Sequence, residues 1–312
     1  VRGAAGPAPR AASSGGAARA RARPLTARPG FGPSRGAGIR ATLGGEVPAY
    51  LESLEDSATE PLGAGGLGVR AALRGDLHCH SDWSDGGSSI QEMVVTAMDV
   101  GHDYLVLTDH SPRLKIANGL SPERLTKQLG VIDSISAAVG DFRLLKGIEV
   151  DILDDGSLDQ SEEMLSQLEF RVASVHSKLA MSAAPMTRRM IAAVENPHTN
   201  VLGHCTGRLV EGSRGIRGQS SFDAAAVFEA CATNGVAVEI NARPERCDPP
   251  DELVALALDA GCLFSIDSDA HAPGQLEFQI YGCARAEQLE VPLDRIVNTW
   301  ELDRLLAWAN PA

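Results

Sequence analysis

A chain of 312 residues with 44% hydrophobic and 22% charged side chains has the make-up of a globular protein large enough for one big domain or two ordinary ones. It contains no run of about 18 or more apolar residues, which excludes a helical membrane span. The net charge of −13 is uneven: residues 1–45 hold eight Arg and no acid, leaving 20 bases against 41 acids, or −21, in residues 46–312. Such a body repels a duplex backbone overall, so any nucleic-acid substrate must be gripped locally.

Residues 1–45 are mostly Ala, Gly, Arg, Pro and Ser, a composition that buries too little apolar surface to offset ordering entropy, and a disordered tail is expected. Residues 46–72 read as a linker or the remnant of a preceding domain, with one short helix over 48–57 and a Gly-rich stretch at 63–68. From residue 73 to 312, short apolar runs alternate with amphipathic segments, the pattern of βα units. Strands are predicted at 73–78, 104–109, 143–150, 170–176, 200–204, 236–241 and 263–268. Helices are predicted near 88–100, 121–138, 160–168, 184–195, 222–234 and 251–260, and a last one near 300–309. Ser121-Pro122-Glu123 is a strong helix start, with Ser as N-cap and Pro at the first helical position. Seven βα repeats predict a closed parallel barrel. The six cysteines never fall in a C-x-x-C spacing and sit mostly in apolar segments, the usage of reduced, buried thiols in a cytoplasmic protein.

Six of the eight histidines fall at predicted strand ends, where barrel enzymes assemble their sites. His78 and His80 end the first strand, on one face by alternation, with Leu77 and Cys79 on the other. Trp83, Ser84 and Gly86 mark a loop able to carry Asp85 back over them. Asp109-His110, Glu149, His176, His204, Asn241 and Asp269-Ala270-His271 end the remaining strands. Each residue alone is explained by an ordinary hydrogen bond or helix cap. Together they crowd imidazoles and carboxylates onto one rim with few Lys or Arg to neutralise them, which calls for bound cations. The set exceeds the four ligands of a structural zinc and points to two or three divalent ions with open positions. Paired ions suit phosphoester hydrolysis. Asp76 and Asp267 lie two residues before ligands and are expected to orient the imidazoles. Lys178, Arg208, Arg243 and Arg246, with Asn241, are the candidate phosphate holders. His102 and His198 fall off the strand ends and are excluded.

Asp76-Leu77-His78-Cys79-His80, Thr108-Asp109-His110, Gly147-Ile148-Glu149, Ser174-Val175-His176-Ser177, Gly203-His204 and Asp267-Ser268-Asp269-Ala270-His271 resemble the ordered motifs of the PHP (polymerase and histidinol phosphatase) family. Ala117-Asn118-Gly119-Leu120-Ser121, Asp155-Gly156-Ser157-Leu158-Asp159, Thr206-Gly207-Arg208-Leu209 and Glu239-Ile240-Asn241-Ala242 are similar to the C-terminal PHP domain of bacterial family X DNA polymerases. The resemblance spans about residues 73–310. It implies a distorted seven-stranded (β/α)7 TIM-like barrel holding three metals, usually zinc, manganese or iron. It assigns His78, His80, Glu149 and Asp269 to one ion, Glu149, His176 and His204 to a second, and Asp85, His110 and His271 to a third. Glu149, with His176 and Asp269, would form the catalytic centre, where a hydroxide on the metals attacks phosphorus.

The resemblance implies action on a phosphate mono- or diester: a DNA 3′ end or abasic site, or a small phosphate ester such as histidinol phosphate. No polymerase domain precedes the barrel and Cys205 stands where polymerase-linked domains commonly carry Pro, so polymerase activity is not expected. Two other classes remain as alternatives, an amidohydrolase-type deaminase and a non-catalytic PHP scaffold. The acid on the third strand and the Asp-x-His on the last disfavour the first; the full ligand set disfavours the second. The expected partner is a phosphate-ester substrate, a small molecule or a nucleic-acid end, with no membrane, in an oligomeric state the sequence leaves open.

Overall fold

The computed structural model describes residues 65–212 and 215–311. The expected tail and the helix over 48–57 lie outside the described residues. The fold opens with a helix inside the predicted linker, α1 (Leu67–Ala72), which packs on a late helix and buries Val69.

Strand and helix then alternate: β1 (Gly75–Cys79), α2 (Ile90–Asp99), β2 (Tyr104–Leu107), α3 (Pro122–Ser136), β3 (Arg143–Asp151), α4 (Glu162–Leu165), β4 (Phe170–Ser174), α5 (Ala183–Val194), β5 (Val201–Leu202), α6 (Ala224–Asn234), β6 (Ala237–Asn241), α7 (Asp251–Asp259) and β7 (Leu263–Asp267). Two more helices follow, α8 (Gln279–Gln288) and α9 (Leu302–Ala309). The sheet runs β1-β2-β3-β4-β5-β6-β7 in sequence order with every pair parallel. A parallel strand pair needs a crossover, which the intervening helices provide. This is the seven-stranded parallel barrel that the repeats predict, nearly closed rather than closed, in the distorted (β/α)7 form that the resemblance implies.

The helices begin where their caps dictate. Ser89 and Glu92 form a capping box ahead of α2, Ser121 caps α3 with Pro122 at its first position, and Asp223 caps α6. β5 is shorter than expected. At its end the Gly203 amide still donates to the Ala173 carbonyl at 2.9 Å, and a Cβ on Gly203 would lie 2.7 Å from Val172 Cγ1, so the chain runs in close approach to β4 there. Unanticipated α8 carries Gly282 at a place where a Cβ would sit 2.7 Å from Ile266 Cγ2, pressing the helix onto β7.

Two apolar cores result. Cys79, Leu105, Leu107 and Ile148 pack with the helices in one, while Leu77, Tyr104, Val106, Phe170, Val172 and Val201 fill the other with Trp300 and Leu305. Leu77 and Cys79 therefore lie in different cores, contrary to the alternation expected for β1. The cause is a register shift between Asp76 and Cys79, a bulge that re-aims the intervening side chains.

No ladder joins β1 to β7. At the top the gap is closed by the His80 amide donating to the Ala270 carbonyl at 2.8 Å and by the Cys79–Ala270 bridge. Lower down, side chains sew the seam. The Asn298 side chain accepts from Ile266 N (2.7 Å) and donates to Gly75 O (3.2 Å), Ile266 O (3.0 Å) and Asp267 Oδ1 (2.9 Å). Asp267 Oδ1 also accepts from Leu77 N at 3.0 Å, and Asp76 Oδ1 accepts from His78 N at 3.2 Å and Ser268 N at 3.3 Å. The expectation that Asp76 and Asp267 orient imidazoles is thus corrected: the bulge and the open seam turn these carboxylates to backbone amides. Burial and mutual repulsion push the Asp76 carboxyl above the usual range. Asn298→Ala would orphan the buried Ile266 amide, while the Gly75 and Ile266 carbonyls keep Gln279 and Asp267 keeps Leu77 N, and should cost about 1 to 3 kcal/mol in denaturant-unfolding free energy.

His102, outside the site, is 5% exposed and lies beside Arg70 and Gln279. Burial, then the Arg70 charge, lower it to about 3. Below pH 6.5 the unfolded chain takes up a proton that the folded chain refuses, so stability falls as pH drops. Between pH 6.5 and 5 this amounts to about 2 kcal/mol. His102→Gln should therefore lose less melting temperature than the parent between pH 7 and pH 5.

Candidate metal centre

The centre is built around Glu149, which β3 carries to the barrel rim with 1% of its surface exposed. Its Oε2 lies 2.8 Å from His110 Nδ1, 3.4 Å from His78 Nε2 and 3.6 Å from His80 Nε2. Its Oε1 lies 2.8 Å from His204 Nε2 and 3.2 Å from His176 Nε2. One carboxylate thus faces five imidazoles contributed by four different strand ends. Asp269, whose backbone takes the left-handed φ of 50°, places Oδ1 3.5 Å from His80 Nε2 and 3.5 Å from His271 Nδ1. Asp85 on the β1–α2 loop lies 3.4 Å from both His110 Nε2 and His271 Nε2. All nine residues expected as ligands meet at one rim.

Among the described residues, three groups have donor atoms mutually within 4.8 Å: His80, Asp85, His110 and His271; His78, His80 and Glu149; and His110, Glu149 and His176. They overlap the three sets that the resemblance implies, although His80 and His110 each stand in two groups. His204 and Asp269 join the cluster through Glu149 and His80 instead.

The electrostatics fit bound cations. His78 Nε2, His80 Nε2, His110 Nδ1, His176 Nε2 and Glu149 Oε2 are buried without a hydrogen bond, and an unpartnered buried polar atom is costly unless something binds it. Burial disfavours charge on Glu149, but the His176, His110 and His78 imidazoles outweigh it and hold the carboxyl well below the usual range. Burial, with His271 and His110 alongside, keeps His80 well below the ordinary imidazole value. The His80 and His110 rings stack at 4.4 Å between centroids, which two imidazolium ions would resist. Nitrogen and oxygen donors of this kind suit divalent transition metals.

Buried carboxylates hold the loops that bear these ligands. Asp109 accepts from Ser81 N (2.8 Å), Ser81 Oγ (2.6 Å), the Ser84 hydroxyl and Gln128 Nε2 (2.6 Å), anchoring the loop of Asp85. Asp248 accepts from Thr206 N (3.0 Å) and Thr206 Oγ1 (2.8 Å), fixing the turn after His204. Asp151 accepts from His176 N at 3.1 Å, with its Oδ1 3.3 Å from His176 Nδ1. Glu239 Oε1 lies 2.6 Å from His78 Nδ1. Sequence reading assigned no role to Glu239 or Asp151; for Glu239 the signal was an acid two residues before Asn241 on a buried strand.

The expected phosphate holders take different places. Lys178 is 62% exposed and paired with Asp154 at 2.5 Å. Arg208 turns to the carbonyls of Arg246 (3.1 Å) and Cys247 (3.0 Å), supporting the loop. Asn241 Nδ2 donates to Glu239 Oε2 and Asp269 Oδ2, both at 3.2 Å. Arg243 reaches the Asp269 carbonyl at 3.0 Å and lies 2.9 Å from His271 Nδ1. Arg246 donates to Asp269 Oδ2 at 3.0 Å. A cavity of about 290 Å³ over the cluster is lined by Arg246 and by Arg217, which was not foreseen, while Leu114, Ile116 and Leu179 form an apolar wall.

Comparison with known proteins agrees with this geometry. Residues 76–243 match the model of the PHP domain family. The chain is 35% identical over 259 residues to the DNA polymerase/3′-5′ exonuclease PolX of Bacillus subtilis, an overlap of 83% of this chain and 43% of that protein. It therefore spans less than half the length of that relative. It is 26% identical over 235 residues to a probable phosphatase of Caldicellulosiruptor saccharolyticus, covering 72% of this chain and 92% of the relative. Among solved structures, the histidinol phosphate phosphatase of Lactococcus lactis complexed with zinc, L-histidinol and phosphate is matched at 17% identity over 70% of this chain and 92% of that one, with a TM-score of 0.49. Strand-end motifs, barrel topology and the match over more than half the sequence lead to one conclusion: the chain belongs to the PHP domain family.

Proposed function

We propose that the chain is a metal-dependent phosphoesterase that hydrolyses a phosphate ester in the cavity over Glu149. The observation that carries this reading is the single buried carboxylate facing five imidazoles, with orphaned donor atoms beneath a cavity lined by arginine. Two or three divalent ions, zinc, manganese or iron, would be held by His78, His80, Glu149 and Asp269, by Glu149, His176 and His204, and by Asp85, His110 and His271. Bound there, such ions supply an activated water and neutralise charge on the phosphoryl oxygens.

The chain's own residues supply the rest. Glu149 and Asp269 hold negative charge where cations must gather. Arg246 and Arg217 face the cavity and are placed to meet phosphate oxygens, so the substrate role first assigned to Lys178 and Arg208 passes to them. Arg243 and Asn241 act through Asp269 and His271. Leu114, Ile116 and Leu179 offer an aliphatic wall against which the alcohol part of the ester can pack.

The similarity to PolX supports a nucleic-acid end as substrate, whereas the probable phosphatase of Caldicellulosiruptor saccharolyticus, matched over 92% of its length, supports a small ester. One assay series separates them: mononucleotides, histidinol phosphate, and oligonucleotides with a free 3′ end or an abasic site, each with manganese or zinc. Nucleotide or phosphate release is expected from one arm. Ammonia release without phosphate would establish a deaminase instead, and less than one metal per purified chain would leave a scaffold. All six cysteines are free and five are buried, which supports a reducing, cytoplasmic setting.

A further inference from the structure

We infer that Glu239 is a positioning residue for the metal centre: one carboxylate on β6 fixes the tautomer of the β1 ligand His78 and clamps the backbone of the β5 ligand His204. The inference rests on the metal-centre reading and concerns a residue that reading does not use.

Glu239 is fully buried at 0% exposure, and its one ion-pair partner among the described residues is His78. Oε1 lies 2.6 Å from His78 Nδ1. Oε2 accepts from the His204 backbone amide and, at 3.2 Å, from Asn241 Nδ2. The other His78 nitrogen, Nε2, is buried with no hydrogen bond and lies 3.4 Å from Glu149 Oε2. A neutral imidazole has one protonated and one bare nitrogen, and its hydrogen-bond partner decides which is which. A carboxylate can only accept, so Glu239 requires the proton on Nδ1 and leaves the Nε2 lone pair facing the cluster. Its negative charge also raises the basicity of the ring as a ligand.

Glutamine has nearly the same shape but cannot accept on both sides. If its oxygen takes the His204 amide, its NH2 faces His78 Nδ1, which must then accept, moving the ring proton to Nε2 and into the cluster. If its oxygen faces His78, its NH2 meets the His204 N–H, donor to donor. Either way one of the two ligands is misplaced.

The test is calorimetric titration of Mn²⁺ into the metal-stripped full chain, parent against Glu239→Gln. Folding is checked by circular dichroism. The expected result is a 10- to 100-fold weaker affinity for at least one ion in the variant, with Glu239→Asp, which keeps the charge, binding more tightly than Glu239→Gln. Manganese binding by Glu239→Gln with parental affinity and stoichiometry would overturn the inference. Failure of the parent to bind manganese would instead overturn the metal-centre reading beneath it. Should Glu239→Gln not fold, ¹⁵N-histidine spectra of the zinc-loaded parent decide the matter, with His78 assigned from a His78→Asn difference spectrum. A proton on Nδ1 with Nε2 bare supports the role and a proton on Nε2 refutes it.

Discussion

Glu149→Ala is expected to reduce phosphoester hydrolysis about a thousandfold or more, equivalent to roughly 4 kcal/mol of lost transition-state stabilisation. The size of the effect follows from the number of groups this carboxylate serves. Five imidazoles lie within 3.6 Å of its two oxygens. Alanine would leave them crowded together with no negative charge to hold cations among them. Metal content, measured by mass spectrometry of the purified variant, should fall in parallel. A Glu149→Ala protein that keeps both its metals and its activity would place the chemistry elsewhere. Because the carboxylate also separates mutually repelling rings in the metal-free state, the variant should lose stability in the presence of chelator as well.

Chelation is expected to have the second large effect. Dialysis against EDTA should abolish hydrolysis, and manganese or zinc should restore it. A ligand present at 100 times its dissociation constant stabilises the folded state by about 2.7 kcal/mol. For a domain of this size that corresponds to a rise in melting temperature of roughly 5 to 10 °C. The gain is expected because the orphaned nitrogens of His78, His80, His110 and His176 would acquire partners that the chain alone does not provide. A melting temperature indifferent to EDTA would contradict it.

The strands were legible because parallel strands are buried on both faces and read as short continuous apolar runs. Their C-terminal ends could then be searched for ligand types, which located the cluster before any coordinates. Several features were not legible. α8 opens through Ile280, Tyr281, Gly282 and Cys283, weak helix formers, and is held by the close fit of Gly282 against Ile266. The β1 bulge leaves no mark in composition, yet it separates Leu77 from Cys79 and turns Asp76 away from the imidazoles. Loop cations were the least legible, since a guanidinium reaches several ångströms in any direction and only the folded loop decides its target. Arg208 ends on the Arg246 and Cys247 carbonyls, whereas Arg217, nine residues later, bonds the Gly207 carbonyl and also lines the cavity.

The missing β1–β7 ladder gives the metals a mechanical role. His78 and His80 stand on one side of that gap, Asp269 and His271 on the other, and the direct backbone closure among the described residues is at its top. Ions shared between these residues would serve as rungs, completing the circumference of the barrel with coordination bonds in place of hydrogen bonds. The barrel should therefore breathe along this line when stripped and tighten when loaded. Amide exchange at Leu77 and Ser268, whose N–H groups are held by the side chains of Asp267 and Asp76, should slow on metal addition more than at β3–β4, where the ladder is complete.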